Sequence, residues 1–135
     1  MNDIIITIKA LRGLRSLNAA SNDEIVEAEK QLNLHFSDEF KQYMAEFGAI
    51  YSETIELKGI AKTPGYNVVA FTTMVREACP NIPKNFYAIS ETGYNGVVIC
   101  QDGNGFVYEW KPNDEVACVA SSLNEYINSK VSRGV

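Results

Sequence analysis

The sequence predicts an α+β fold: N-terminal helices, a central antiparallel sheet of about four to six strands, and a C-terminal helix. Two observations support this. The apolar side chains recur at helical spacing up to Phe47, and from Thr54 onward the period becomes two residues. No strand–helix–strand pattern repeats, which disfavours a parallel sheet. The length of 135 residues fits one domain, so residues 1–135 are treated as a single unit.

The first helix is predicted over residues 3–18, with Asn2 or Asp3 available to cap it. The β-branched run from Ile4 to Ile8 also fits a strand, and that alternative stays open at this point. The apolar stripe of the helix consists of Ile4, Ile8, Leu11 and Leu14 or Arg15.

Two better-marked helices follow. Ser21 and Glu24 have the spacing of a capping box, and Asn33 suits the left-handed residue that ends such a helix. Ser37 opens the next helix, which Gly48 ends. Its stripe is Phe40, Tyr43, Met44 and Phe47, at positions i, i+3, i+4 and i+7.

Short strands dominate the rest of the chain. Residues 55–59 alternate in polarity, which predicts a half-exposed strand with Glu56 and Lys58 on its outer face. After the turn at 64–65, the apolar run 68–71 is predicted as a strand, followed by a brief helix capped by Thr72 or Thr73.

A hairpin and a closing helix complete the pattern. Residues 97–101 and 106–110 are predicted to pair across the loop Asp102-Gly-Asn-Gly, and residues 86–90 and 115–119 give two more strands. Ser121 is expected to cap the last helix. Its core-facing side chains are predicted to be Leu123, Tyr126, Ile127 and Val131.

The charge is acidic and unevenly distributed. The chain has a net charge of −5 and a pI near 4.9, which argues against direct nucleic-acid binding because that needs a basic face. Residues 21–60 hold nine acids against three lysines, a net −6. A partner attracted by charge should therefore meet this part of the surface first.

The pattern of apolar runs, the start of the sequence and the cysteine content all predict a cytoplasmic protein. No apolar run has the length of a membrane span, and the start lacks the pattern of a secretory signal. The three cysteines, Cys79, Cys100 and Cys118, are an odd number at wide spacing, which does not suggest a disulfide framework. We expect three reduced, mostly buried thiols.

The sequence offers no catalytic, cofactor or metal site. His35 is the single histidine and has no evident partner for proton transfer. The cysteines and His35 lack the close spacing of a zinc site, and the Asp102 loop has Phe106 and Val107 where a calcium loop needs an oxygen ligand and a glycine. Neither a phosphate-binding glycine motif nor a GxSxG elbow occurs.

The order of these motifs resembles one family. Four features follow one another: the acidic helix Ser21–Leu32, the segment Phe36–Tyr43, the pair Phe47-Gly48, and the hairpin Gly96–Trp110 followed by Ala120–Ile127. Together they resemble the SUKH superfamily, which includes cell-wall-assembly regulators of the SMI/KNR type. Ser37 stands where proline is common in that family, and the usual glycine-rich segment is reduced to residues 48–50.

The resemblance implies a non-enzymatic, cofactor-free domain that binds protein partners. Bacterial members are mostly immunity proteins that neutralise a cognate toxin, often a nuclease. A regulatory scaffold that binds host proteins is one alternative, and a small Cys/His hydrolase is another. The partner is expected to be basic, with the protein a monomer or homodimer. The predicted partner-binding residues are Tyr51, Glu53, Glu56, Tyr66 and Tyr94.

Overall fold

The computed structural model describes residues 3–92 and 96–133. Its helices are α1 (Asp3–Lys9), α2 (Asn22–Leu32), α3 (Asp38–Phe47), α4 (Val68–Ala78) and α5 (Leu123–Arg133), with a 3₁₀ segment at Pro64–Tyr66. Its strands are β1 (Arg15–Ser16), β2 (Ile50–Tyr51), β3 (Glu56–Leu57), β4 (Tyr87–Glu91), β5 (Val98–Gln101), β6 (Val107–Trp110) and β7 (Val116–Ala120).

The strands form two antiparallel sheets. The smaller has the order β1-β2-β3, and the larger is a meander in the order β4-β5-β6-β7. The sheets are tied together where the Lys58 N–H donates to the Ile89 carbonyl at 2.7 Å and the Ser90 hydroxyl donates to the Glu56 carbonyl at 2.7 Å. The predicted α+β class, the four-stranded antiparallel sheet and the C-terminal helix are therefore confirmed.

The larger sheet is packed on both faces. On one face, Tyr87, Ile89, Ile99 and Val107 join the main core with the helical residues Phe40 and Ile127. On the other face, α4 supplies Phe71 and Val75 to a smaller core with Phe86, Cys100 and Trp110. A four-stranded sheet sandwiched in this way buries large apolar area on each side, which supplies the main stabilisation of the fold.

The helix caps form as the sequence predicts. Ser21 Oγ accepts from the Glu24 N–H at 3.1 Å while the Glu24 carboxylate accepts from the Ser21 N–H at 2.9 Å, and Asn33 is left-handed with φ 56°. Ser37 Oγ accepts from the Phe40 N–H at 3.0 Å, and the stripe Phe40, Tyr43, Met44 and Phe47 is buried.

The first helix is shorter than predicted. It ends at Lys9, and the chain turns at Gly13, whose φ is +70°. Arg15 then pairs with Tyr51 as a strand, so the helix over 3–18 is wrong beyond its first two turns. Ile4, Ile8 and Leu11 are nevertheless buried, because the turn keeps Leu11 against the same core.

The strand predicted at 68–71 is also wrong. This run is the first turn of α4, whose buried side chains Val68, Phe71, Thr72 and Val75 have helical spacing. Asn67 supplies the cap that the prediction gave to Thr72 or Thr73: its Oδ1 accepts from the N–H groups of Val69 and Ala70 at 2.9 and 3.0 Å. Two valines and a phenylalanine among these four residues suggested a strand locally, but the capped helix buries Val68 and Phe71 and leaves Ala70 exposed.

Two details of the last helix differ from the prediction. Helix α5 begins at Leu123, so the hydroxyl that accepts from a first-turn N–H belongs to Ser122, at 3.0 Å from Glu125 N, rather than to Ser121. Leu123, Tyr126 and Ile127 are buried as expected, whereas Val131 is exposed.

Candidate functional site

The β2–β3 hairpin and the 3₁₀ segment bring two tyrosines together at the surface. Tyr51 in β2 lies opposite Glu56 in β3, and its ring centroid is 5.9 Å from that of Tyr66. Tyr51 is 40% exposed and Tyr66 is half-buried. We call Tyr51, Glu56, Tyr66 and Glu91 the tyrosine–carboxylate surface. It unites three of the five residues that the sequence singled out.

A buried lysine holds this surface together. The Lys58 side chain is 2% exposed, and its Nζ donates to Glu56 Oε2 at 2.9 Å, Glu91 Oε1 at 3.2 Å and the Gly65 carbonyl at 2.6 Å. The prediction that Lys58 lies on an exposed face is therefore wrong. The outer face of β3 is covered by the 3₁₀ segment and the start of α4, which shield the ammonium from water.

Aromatic rings complete the lysine's surroundings. Lys58 Nζ lies 4.8 Å from the centroid of the Phe71 ring and 5.9 Å from that of Tyr66. Such contacts attract a cation toward the ring face. With two carboxylates around one ammonium, the cluster keeps a net negative charge. The carboxylates of Glu56 and Glu91 are 39% and 57% exposed, so a partner can still reach them.

The two other predicted contact residues lie elsewhere. Glu53 is exposed at the tip of the β2–β3 hairpin, where its N–H donates to the Arg12 carbonyl at 3.0 Å and its side chain lies against Gly13. It shares the hairpin with Tyr51 but contacts the α1–β1 connection. Tyr94 falls outside the described residues.

An acidic groove is lined in part by Thr63 and Asn67, the residues on either side of the 3₁₀ segment that contains Tyr66. It has a volume of about 1090 Å³ and lies between α2, the loop 16–19 and the segment 60–70. Asp23, Glu24 and Glu27 line the α2 wall, and Lys62 lines the opposite wall. The charge count of residues 21–60 pointed to this part of the chain, but only the fold shows that three of the acids share one groove wall.

A smaller hollow of about 610 Å³ opens beside β6 and the end of α5. Its lining includes Glu109, Lys111 and Lys130, so it carries both signs of charge. That mixture favours neither a strongly acidic nor a strongly basic ligand.

The contacts of His35 and Asp102 indicate a structural role for the residues around them. The His35 imidazole is 92% exposed and lies 3.9 Å from Glu29, whose carboxylate also accepts from the Phe36 N–H at 2.9 Å and faces Lys41. Asp102 accepts from the N–H groups of Asn104 and Phe106 and from the Tyr108 hydroxyl, at 3.0, 3.2 and 2.9 Å. The Asp102 carboxylate therefore stabilises the predicted hairpin turn.

The cysteines occupy three different environments. Cys100 is buried, Cys79 is half-buried and Cys118 is exposed, so the expectation of mostly buried thiols is wrong for Cys118. Burial raises the pKa of the Cys100 thiol to about 12, which keeps it protonated and unreactive. Within residues 3–92 and 96–133, no three His, Cys, Asp or Glu side chains are placed to hold a metal ion, and no helix has the length and apolar character needed to cross a membrane.

Comparison with known proteins gives a family and a fold. The model of a family described as SMI1-KNR4 cell-wall (SUKH_5) matches residues 1–132. A crystal structure of a protein from Pseudomonas syringae pv. tomato superposes with a TM-score of 0.74 over 95% of this chain and 96% of that chain. The two sequences are 15% identical, so this likeness shows a shared fold alone. No curated protein matches the chain significantly.

Proposed function

Because this chain belongs to the SMI1-KNR4 cell-wall (SUKH_5) family, we propose that it is a non-enzymatic immunity protein that binds and neutralises a cognate toxin in the cytoplasm. Toxin neutralisation is the usual role of bacterial members of the SUKH superfamily. The partner proposed here is a basic protein, and a nuclease is a natural candidate because it needs a basic surface to bind nucleic acid.

The tyrosine–carboxylate surface is the observation that supports a protein partner. Aromatic side chains that are partly exposed and held in place are common anchors of protein interfaces. Tyr51 and Tyr66 are held in contact with each other, and Lys58 fixes Glu56 and Glu91 beside them. A basic partner gains both apolar contact and a complementary charge at this surface, and the acidic groove extends the field that attracts it.

The regulatory-scaffold alternative uses the same surface with a host protein as partner. The hydrolase alternative needs a histidine or thiol beside a second titratable group in a cleft. His35 is too exposed to meet that requirement. The binding function therefore explains more of the surface than a catalytic function does.

The first test is co-expression with the product of a neighbouring toxin gene. We expect growth to be rescued and the two proteins to co-purify. If growth is rescued while this protein binds a host protein and not the toxin, the scaffold is favoured. If no neighbouring toxin co-purifies and growth is not rescued, the proposal is contradicted.

The second test locates the interface. Replacing both Tyr51 and Tyr66 with alanine should weaken toxin binding by roughly 30-fold or more, since truncation of an interface hot spot costs about 2 kcal/mol or more. The matched control is Phe106→Ala, which removes an aromatic ring of similar exposure, 41% against 40%, from the β5–β6 hairpin. Equal losses of toxin affinity in the double tyrosine variant and in Phe106→Ala, measured by calorimetry, would argue against this surface.

A further inference from the structure

The acidic groove has one charged side and one apolar side. On the α2 side, Asp23, Glu24 and Glu27 share one face of the helix, because residues three and four positions apart are neighbours on a helix surface. The segment 60–70 contributes Ile60 and Val69, which are half-buried: they pack against the main core and also line the groove. A ligand in the groove therefore meets carboxylates on one side and apolar side chains on the other.

Neighbouring cations do not neutralise the acids of the α2 side. Within residues 3–92 and 96–133, none of Asp23, Glu24 and Glu27 forms an ion pair. Lys62 lines the groove without forming an ion pair there, so no salt bridge closes it. Like charges four residues apart repel each other on a helix, and Glu27 lies beyond the first turn, where the helix dipole stabilises a carboxylate most. A cation supplied by a ligand would relieve this repulsion.

The size and the walls of the groove favour a helix as its ligand. Its volume of about 1090 Å³ exceeds the roughly 300–1,000 Å³ of typical small-molecule sites. Along α2 its lining runs from Asp23 to Gln31, which is about 12 Å at a rise of about 1.5 Å per residue, so two turns of a second helix match it. An added β-strand suits this wall less well, because the backbone groups in the middle of α2 bond within the helix.

We propose that the acidic groove docks a basic amphipathic helix of the protein partner. The helix directs lysine or arginine side chains toward Asp23 and Glu27, and it packs apolar side chains, three and four residues apart, against Ile60 and Val69. A simple polyamine would satisfy the carboxylates but would leave the apolar side of the groove in water. The proposal rests on the proposed function in that the partner is a basic protein, and it assigns to the groove a direct contact with that protein.

Selection from a displayed library of random peptides tests the chemistry of the groove without a toxin. Peptides of about 16 residues are long enough to form a helix on binding. We expect the enriched peptides to be basic, with apolar residues at helical spacing, and their affinity should fall as salt screens the carboxylates. Replacing their apolar residues with serine should weaken binding further. Failure to enrich peptides, enrichment of acidic ones, or affinity that survives the serine replacements would overturn the proposal, and the last result would indicate a polyamine site.

Substitutions in the protein locate the binding. Glu27→Lys should weaken the best peptide by about 10-fold or more, because it reverses a charge that the peptide contacts. Glu77→Lys is the matched control: it makes the same change at an exposed position of α4 outside the groove lining, and it should leave the affinity nearly unchanged. Ala70→Arg should block the groove from an exposed position in its lining, whereas Ala45→Arg, exposed on α3, should not.

Circular dichroism should show all four variants folded, and calorimetry would give the affinities. Equal affinities in Glu27→Lys and Glu77→Lys, or in Ala70→Arg and Ala45→Arg, would overturn the groove as the docking site. A toxin that co-purifies equally with the wild type and with Glu27→Lys would also overturn it, while supporting the proposed function. Peptide binding at the groove, together with failure of every neighbouring toxin to bind, would support the groove and contradict the proposed function.

Discussion

Lys58 shows how a single buried ammonium group organises a surface. Burying a charge is costly unless it is paired, and here two carboxylates and a backbone carbonyl surround the amine. The partners differ in exposure from the lysine: Glu56 and Glu91 reach water, whereas Lys58 does not. Removing the acids should therefore be more harmful than removing the base.

The paired substitutions Glu56→Ala and Glu91→Ala should lower the free energy of unfolding by about 3 kcal/mol, because they leave Lys58 buried without a carboxylate. Lys58→Met keeps most of the buried volume and leaves two water-accessible carboxylates, so its cost should be about 1 kcal/mol. Urea denaturation of the wild type, the double variant and Lys58→Met would measure both values. A larger loss of stability in Lys58→Met than in the double variant would contradict this argument, because it would show that the lysine, and not the pair of acids, is easily left unpaired.

Gly59 illustrates a different residue-level constraint. An added Cβ would lie 1.8 Å from the Gly48 carbonyl oxygen, which accepts from the Ile60 N–H at 3.0 Å. Two backbone segments approach each other so closely here that only glycine fits. This crossing holds the start of β2 against the residues that follow β3.

Gly59→Ala should destabilise the protein by more than about 3 kcal/mol, because backbone must move to admit the methyl group. Gly65→Ala is the control, since no atom lies within 4 Å of the Cβ it would add, and its effect should stay within about 0.5 kcal/mol. Thermal denaturation followed by circular dichroism would compare them. Similar melting temperatures for the two variants would contradict the close-approach argument.

At the scale of elements, one carboxylate fastens the last helix to the third. Glu39, in the first turn of α3, accepts from the N–H groups of Leu123 and Asn124 at 2.7 and 2.9 Å and from Gln101 Nε2 at 3.2 Å. The first N–H groups of a helix lack partners within the helix and carry the positive end of its dipole. A side chain 84 positions earlier in the chain thus caps α5.

Glu39→Ala should cost about 2–3 kcal/mol, because it leaves two N–H groups of α5 and the Gln101 amide without their charged acceptor. Asp38→Ala is the control: it removes an exposed carboxylate from the same first turn of α3 and should cost at most about 1 kcal/mol. The values would come from urea denaturation, with hydrogen exchange at Leu123 and Asn124 as the local readout. Unchanged protection of these amides in Glu39→Ala would refute the capping role.

For the whole molecule, buried tyrosines couple stability to alkaline pH. Burial raises the pKa values of Tyr43 and Tyr87 well above the ordinary 10.0, and it raises that of Tyr126 to about 12. In the unfolded chain these groups release their protons near pH 10, whereas in the folded protein they keep them. The unfolded state therefore binds fewer protons above pH 10, and stability must fall as the pH rises.

Each fully buried tyrosine should lower the free energy of unfolding by about 1.4 kcal/mol per pH unit above pH 10, until the pH reaches its folded-state pKa. Urea denaturation between pH 9 and about pH 11 would give the slope. Tyr87→Phe should make that slope shallower by about 1.4 kcal/mol per pH unit, whatever its effect at neutral pH. A slope that does not change in this variant would show that Tyr87 ionises equally in both states.

Local patterns determined much of the fold. The capping box at Ser21, the cap at Ser37 and the stripe from Phe40 to Phe47 each depend on groups within a few residues of one another, so the sequence contains all the information. The hairpin loop at Asp102 is equally local. The charge of residues 21–60 was also available from the sequence, and it indicated the side of the molecule where a partner should dock.

The tertiary structure decided what depends on distant neighbours. Residues 68–71 read as a strand because their side chains suit one, yet packing against β4 and the Asn67 cap make them a helix. Alternation placed Lys58 outside, but the segment that follows folds over it and converts an exposed charge into a buried ion pair. Periodicity reports which face of an element is polar. Whether that face meets water depends on which other part of the chain covers it.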